Sequence, residues 1–233
     1  VGGTSATQTA LKRMPYGTNG NVISSGTTSV ATAAQVGSLW GVAYDKKRNK
    51  IYTSAILRRH AGLGPQGLGG IYVTDVNTNA TSNFVDVQAT LGVNVGSMVS
   101  GDPFFGQTNG TRNLPSNING ASHDSLVFVL TGKVGIGDMD ISDDNNSLYF
   151  VNLFDKVLYK LDISGATPVL VGSYPIPSAC GTSDANRPFG LKVKNGKVYI
   201  ATLCDGYISQ NVSEMRAYIY SFDESLGAFS PIF

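Results

Sequence analysis

The sequence predicts an all-β protein, a β-propeller or part of one, built of four-stranded antiparallel blades. Three observations predict it. Apolar residues alternate or run continuously over short stretches, and nowhere is a 3.6-residue period sustained. Three segments superpose on a tyrosine: "LWGVAYDKKRNKIYTSAIL" (39–57), "IGDMDISDDNNSLYFVNLF" (136–154) and "PFGLKVKNGKVYIATLC" (188–204). Each reads as a strand, a polar turn and a second strand, and in each more strand-like sequence follows, which is the internal order of a blade.

Taken in chain order, residues 8–30 supply a leading strand or two, a partial blade. The first full unit folds 39–57 into two strands about the turn "DKKRN", then adds "GGIYVTDVNT" (69–78) and "SNFVDVQ" (82–88). The second runs through "SDDNN" to "DKVLYKLDIS" (155–164) and "TPVLVGSY" (167–174), and the third through "KNG", a hairpin signal, to "MRAYIYSFDE" (215–224). The anchoring tyrosines are Tyr52, Tyr149 and Tyr199. Long insertions are expected near 88–130, rich in Gly, Asn, Ser and Pro, and at 204–214. The only helical candidates are short pieces near 28–36 and 121–130. About three full blades and a leading partial one make one propeller domain or fragment over residues 1–233, too few for the four to eight of a closed ring.

Composition narrows the function. Hydrophobic residues make up 42%, enough for a core, while charged residues are only 14% and the formal net charge is +1. The one basic run, Lys46-Lys47-Arg48, gives little basis for nucleic-acid or anionic-membrane binding. No stretch approaches the ~18–20 apolar residues of a membrane span. The chain opens on Val1 and stops inside the apolar run of "SFDESLGAFSPIF", so both ends read as cut from something longer.

Cys180 and Cys204 match no CxxC motif. They are read either as a disulfide, worth roughly 3 kcal/mol in the chain-entropy model, or as two free thiols. Low charge with abundant Asn, Thr and Gly suits an extracellular protein, where a bridge would persist. Sequons begin at Asn79, Asn109, Asn145 and Asn211, a number that an Asn-rich chain produces by chance.

The acids Asp138, Asp140, Asp143 and Asp144 are the obvious metal candidates. Tested from Asp138, the calcium-loop pattern fits at positions one and three but has Asp143 where Gly is required and Tyr149 where Glu is required. Asp143, Asp144, Asn145 and Asn146 therefore read as turn residues; the acids as a group read as structural, in turn and strand-end roles, with Asp138 and Asp140 a weak Ca²⁺ candidate as the alternative. No other cofactor is implied. "GLGPQG" (62–67) satisfies G-x-G-x-x-G, but a strand rather than a helix follows it, so it is not a dinucleotide loop.

All three units place a charge just after the second strand: Arg58, Asp155 and Asp205. With Arg59, His60 and Arg187 these form the candidate ligand site at a rim or the central channel, salt bridging between blades being the competing explanation. His60 and His123 accompany no recognisable nucleophile, and no catalytic residue is assigned. Trp40 and Phe189, matched in the repeat, read as core.

The combination of "GSLWGVAYDKKRNKIYTSAILRRHAGLGPQGLGGIYVTDVNT", "GKVGIGDMDISDDNNSLYFVNL" and "RPFGLKVKNGKVYIATLCD" resembles the propeller-like region of large secreted bacterial (Bacteroidota-type) surface proteins carrying SdrD B-like or Cna B-type repeats. The resemblance implies a secreted or cell-surface multidomain protein, adhesin-like in layout, with no catalytic residues to carry over. The expected function is a non-enzymatic extracellular binding or structural module. Its expected partners are the remaining domains of a longer chain or copies of itself through exposed blade edges, and surface glycans or proteins. A propeller hydrolase or lyase acting on an extracellular polymer is the alternative.

Overall fold

The computed structural model describes residues 5–17, 26–98, 112, 114–122, 124–181 and 185–233; His123 and the sequon at Asn109 lie outside these. Three four-stranded antiparallel sheets succeed one another. Blade 1 is β3 (Leu39–Asp45), β4 (Lys50–Ala55), β5 (Gly70–Asp75) and β6 (Thr81–Asp86). Blade 2 is β7 (Ile136–Ile141), β8 (Ser147–Asn152), β9 (Val157–Asp162) and β10 (Val169–Pro175). Blade 3 is β11 (Asn186–Lys194), β12 (Lys197–Cys204), β13 (Arg216–Asp223) and β14 (Ala228–Pro231). A leading hairpin-like pair, β1 (Thr9–Arg13) with β2 (Thr28–Thr32), precedes them.

Strand order within each sheet follows chain order, and β7 packs between β3 and β11. The first strands therefore stand side by side at the centre while the sheets fan outward, as in a propeller. Among the described residues the ring is open. The expected blade count holds, with two additions. The terminal apolar run folds as β14, and Pro231 is tolerated there because an edge strand needs no donor on its outer side. The 88–130 insertion is not all loop: it begins within α2 (Val87–Leu91) and ends in α3 (Ser125–Leu130), and Val93, Val95 and Met98 are buried.

The inner turns share one device. Asn49, Asn145 and Asn195 each adopt positive φ, of 55°, 62° and 53°. Asparagine tolerates this left-handed conformation better than other side chains. The three tyrosines occupy equivalent places, opposite Ala43, Asp140 and Lys192.

Two apolar seams hold the blades together. The first joins Ala43, Tyr52 and Ile71 of blade 1 to Met139, Leu148 and Phe150 of blade 2. The second joins Tyr149, Val151 and Leu158 of blade 2 to Leu191, Ile200 and Phe222 of blade 3. A third cluster packs Ala31, Val36 and Val127 on the opposite face of blade 1, with Leu57 and Tyr72. Tyr52 and Tyr149 are buried by the following blade, whereas Tyr199 is only partly covered.

The polar part of each seam differs. At the first, Gly41 and Gly137 let the strands approach closely. A Cβ on Gly41 would meet Ser54 Oγ at 2.5 Å and Gly137 O at 3.0 Å. Ser54 Oγ accepts the Gly41 N–H and donates to Gly137 O, both at 3.0 Å. At the second seam the acids act. Asp138 Oδ2 accepts the Leu191 N–H at 3.2 Å, Asp140 Oδ2 the Val193 N–H at 2.9 Å, and Asp143 Oδ2 the Gly196 N–H at 2.7 Å. Residues two apart on a strand share a face, so Asp138 and Asp140 meet alternate N–H groups on the free edge of β11. Lys192 Nζ also lies 2.5 Å from Asp140 Oδ2.

Asp143 and Asp144 stand in the turn between β7 and β8 as expected, but the partners of the acids differ. Asp144 is a turn residue, accepting from Ser142 Oγ at 2.5 Å and the Asn146 N–H at 3.0 Å. Asp138, Asp140 and Asp143 tie blade 2 to blade 3. The Ca²⁺ candidate pair is committed to backbone donors, and the described residues hold no group of three His, Cys, Asp or Glu placed for a metal. Burial pushes the Asp138 carboxyl above its ordinary range, opposed by the hydrogen bonds from Leu191 and Met139. A polar lock closes the outer seam: the Tyr149 hydroxyl donates to Glu224 at 2.7 Å, and Lys160 pairs with the same carboxylate.

Candidate functional site: an aromatic and cationic cleft

Antiparallel pairing puts the ends of β4, β8 and β12 beside the starts of β3, β7 and β11. Arg58, Asp155, Arg187 and Asp205 therefore emerge at one end of the blades. The structure brings only some of them together.

Arg187 and Asp205 form an ion pair, Nε lying 2.6 Å from Oδ2 but without the alignment of a directed hydrogen bond. The Arg187 guanidinium also donates to Asn186 O at 3.1 Å, and Asp205 accepts the Tyr207 N–H at 3.2 Å. The disulfide supports this pair from behind. Cys180 and Cys204 are bonded, S–S 2.07 Å, and Cys204 directly precedes Asp205. Of the two readings of the cysteines, the bridged one is found.

Arg187 and Asp205 line a cleft of about 290 Å³ with Phe128, Lys133, Phe189 and Tyr207. Phe128 comes from the end of the long insertion, Lys133 from the turn between α3 and β7 that follows it, and Tyr207 from the shorter insertion. Lys133 Nζ sits 4.0 Å above the Tyr207 ring, and the Arg59 guanidinium 5.5 Å above the Phe128 ring. Such contacts contribute roughly 0.5–1 kcal/mol each at exposed sites. Phe128 is 64% exposed and Tyr207 51% exposed. Phe189 meets Trp40 edge-on at 4.9 Å between centroids, and Trp40 is 52% exposed. The core reading of Trp40 is therefore wrong. Trp40 reaches past β7 to Phe189 and stays half in solvent because its side of β3, shared with Val42 and Tyr44, is uncovered.

The remaining predicted residues have other surroundings. Arg112 and Asp124 form a buried pair at 2.5 Å that fastens the insertion to the 58–61 turn. Arg112 donates to Arg58 O at 2.9 Å and Ala61 O at 3.0 Å, while Asp124 accepts the His60 N–H at 2.9 Å. His60 adopts positive φ, 61°, and its Nδ1 lies 2.6 Å from Ser122 Oγ. Arg58 and His60 thus anchor the insertion, and Arg59 between them projects to Phe128. Asp155 lies outside the cleft. It accepts the Val157 N–H at 3.1 Å and the Tyr159 hydroxyl at 2.6 Å, which makes it a residue of the β8–β9 turn.

Sequence reasoning located Arg59, Arg187 and Asp205 but missed Phe128, Lys133 and Tyr207. The available signal was the two insertions themselves, since long loops on a rigid frame are where binding residues concentrate.

No family model matches the chain. Among curated proteins it is 29% identical over 195 residues to Colossin-D of Dictyostelium discoideum, covering 83% of this chain and 18% of that protein. It is 24% identical over 232 residues to Colossin-B of the same organism, covering 96% of this chain and 5% of that protein. The chain thus spans less than a fifth of the curated relatives it matches. These relatives are eukaryotic and give no support to a bacterial origin. Solved structures similar to it include the N-terminal domain of Nup159, at 9% identity and TM-score 0.44 over 88% of this chain and 39% of that one. A hypothetical selenium-binding protein from Sulfolobus tokodaii has 13% identity and TM-score 0.45 over 88% and 42%.

Proposed function

We propose that this chain is a non-enzymatic binding module of a secreted or cell-surface multidomain protein, adhesive in type, engaging surface glycans or proteins through the aromatic and cationic cleft. The observation that carries the reading is the cluster of half-exposed rings, Trp40, Phe128 and Tyr207, beside Lys133, Arg59 and the Arg187–Asp205 pair. Exposed aromatics and arginine set together on a rigid support are characteristic of binding surfaces. The disulfide supports an extracellular setting, and no helix among the described residues is long and apolar enough to cross a membrane. A cluster of carboxylates, His and Arg converging on the central channel would favour a hydrolase or lyase. Asp138 and Asp140 instead hold β11, which favours the binding role.

Remaining domains of a longer chain, or further copies of this one, are proposed as partners at the open blade faces, where Trp40, Val42 and Tyr44 on one side and Leu203 on the other stay 42–54% exposed. The experiment is a glycan and protein array probed with the folded chain and with Tyr207→Ala, with light scattering for oligomeric state. Retained ligands that the variant loses, with no cleavage product, support the module. Turnover of a retained polymer, or retention that Tyr207→Ala leaves unchanged, overturns it.

A further inference from the structure

Resting on the reading of the open blade faces as partner sites, we infer that the uncovered face of β3 receives a further blade whose first strand carries Asp-x-Asp. That blade belongs to another polypeptide segment, not to a second copy of this chain. The seam between blades 2 and 3 shows how such a face is closed. Asp138 accepts the Met139 N–H through Oδ1 at 2.9 Å and the Leu191 N–H through Oδ2 at 3.2 Å. Asp140 does the same for Ile141 and Val193, both at 2.9 Å. Each carboxylate thus bridges the edges of two first strands, while the side chains of Leu191 and Val193 are buried in the same seam.

β3 repeats the receiving half of this seam. It is the edge strand of its sheet, as β11 is. Ala43 and Lys192 both stand opposite an anchoring tyrosine, so Val42 matches Leu191 and Tyr44 matches Val193. Alternate residues of an antiparallel strand point their N–H groups to the same side, which puts those of Val42 and Tyr44 on the outer edge. Their side chains are 54% and 47% exposed, where Leu191 and Val193 are 6% and 8%. The face therefore offers an apolar pair and two edge donors, the surface that Asp138 and Asp140 cover on β11.

The acids must come from elsewhere. The residues before Val42 and Tyr44 are Gly41 and Ala43, and residues 1–38, which lead into β3, contain no Asp or Glu. A second copy docking through its blade 3 would bring Gly190 and Lys192 to the acid positions, and neither side chain offers an acceptor. Blade 2 of a second copy has the pair, but engaged on its own β11.

The test tethers a blade of this kind to the chain. A copy of residues 133–176 is appended after Phe233 through a Gly-Ser linker. It is made once unchanged and once with Asp138→Ala and Asp140→Ala in the appended copy only. Trp40, the single tryptophan, shares the side of β3 that holds Val42 and Tyr44, so its emission reports docking. Amide hydrogen exchange at Val42 and Tyr44 should slow about tenfold or more with the acidic copy, and keep the rate of the unextended chain with the alanine copy. Equal protection by both overturns the need for acids and leaves the open face as a partner site. Protection by neither, with both copies ordered by circular dichroism, overturns the inference. A dimer of the unextended chain with both amides already protected overturns it in favour of a second copy. Should the appended copies fail to order, residues 133–176 are displayed on yeast with positions 138 and 140 randomised and sorted for binding to the chain. Acids at both positions support the inference, and any other pool, or none, overturns it. The array result at the cleft is read separately, so the binding module stands or falls on its own.

Discussion

The carboxylate of Asp140 on β7 accepts the backbone N–H of Val193 on β11 at 2.9 Å, and both residues are buried. A side chain here does for a strand edge what a neighbouring strand would otherwise do. Asp140→Ala strands a buried donor, which costs roughly 1–3 kcal/mol. Asp140→Asn keeps one oxygen for two N–H groups, those of Val193 and Ile141, and also loses the pairing with Lys192. That pairing is worth roughly 0–1 kcal/mol because the lysine is 71% exposed. Urea unfolding of the two variants should rank them in that order.

Asp138, two residues earlier, gives a test by pH. Its carboxyl is held above its ordinary value of 3.8 by burial. The folded state therefore binds its proton more tightly than the unfolded state, and the stability this contributes is complete below 3.8 and lost as pH rises through the raised value. Asp138→Asn removes the buried charge but has one oxygen for two N–H groups, those of Leu191 and Met139. Thermal melts should show a deficit relative to wild type that is smaller at pH 7, where the wild-type carboxylate is penalised by burial, than at pH 3.

The Arg112–Asp124 pair predicts a larger effect. Side-chain exposure is 0% and 1%, and Arg112 serves two carbonyl groups as well. Arg112→Ala leaves a buried carboxylate without its cation, with the His60 N–H still bonded to it, at a cost of about 3–5 kcal/mol. Since the pair fastens the insertion to the 58–61 turn, proteolytic cleavage between residues 112 and 124 should precede global unfolding in this variant.

At the first seam, Gly41→Ala places a methyl group against Ser54 Oγ, Met139 Cγ and a backbone carbonyl. Overpacking of this kind typically costs 1–3 kcal/mol. Denaturant melts should show a loss in that range, and a neutral result would mean that the β3–β7 spacing can relax.

The blades were legible because their determinants are local. Strand alternation, polar turns and a tyrosine at a constant place recur in residues 39–57, 136–154 and 188–204, and Asn49, Asn145 and Asn195 set the turns. The site was only partly legible, since its walls come from three regions distant in sequence. Arg187 and Asp205 could be found from their place in the repeat. Phe128, Lys133 and Tyr207 lie in insertions that have no counterpart to align with. Trp40 was misread because a large aromatic at a repeated strand position reads as core, whereas whether it is covered depends on what stands beside β3; its match Phe189 is itself only partly buried. The seam acids read as structural, but their partners were not legible: a period-two spacing on one strand does not reveal a partner 53 residues away.

The Cys180–Cys204 bridge joins the segment before β11 to the end of β12. Under tension applied at the two chain ends, force would pass through the sulfurs and bypass both inner strands of blade 3. The 24-residue separation shields roughly 80 Å of contour length from being drawn out, at about 3.3–3.6 Å per residue. Pulling single molecules before and after reduction should lengthen the full extension by about that amount. Because Asp205 follows the bridge directly, the cleft's ion pair would sit beside a covalent strut even while outer strands β13 and β14 peel away, so a tethered ligand could stay gripped by a partly extended molecule.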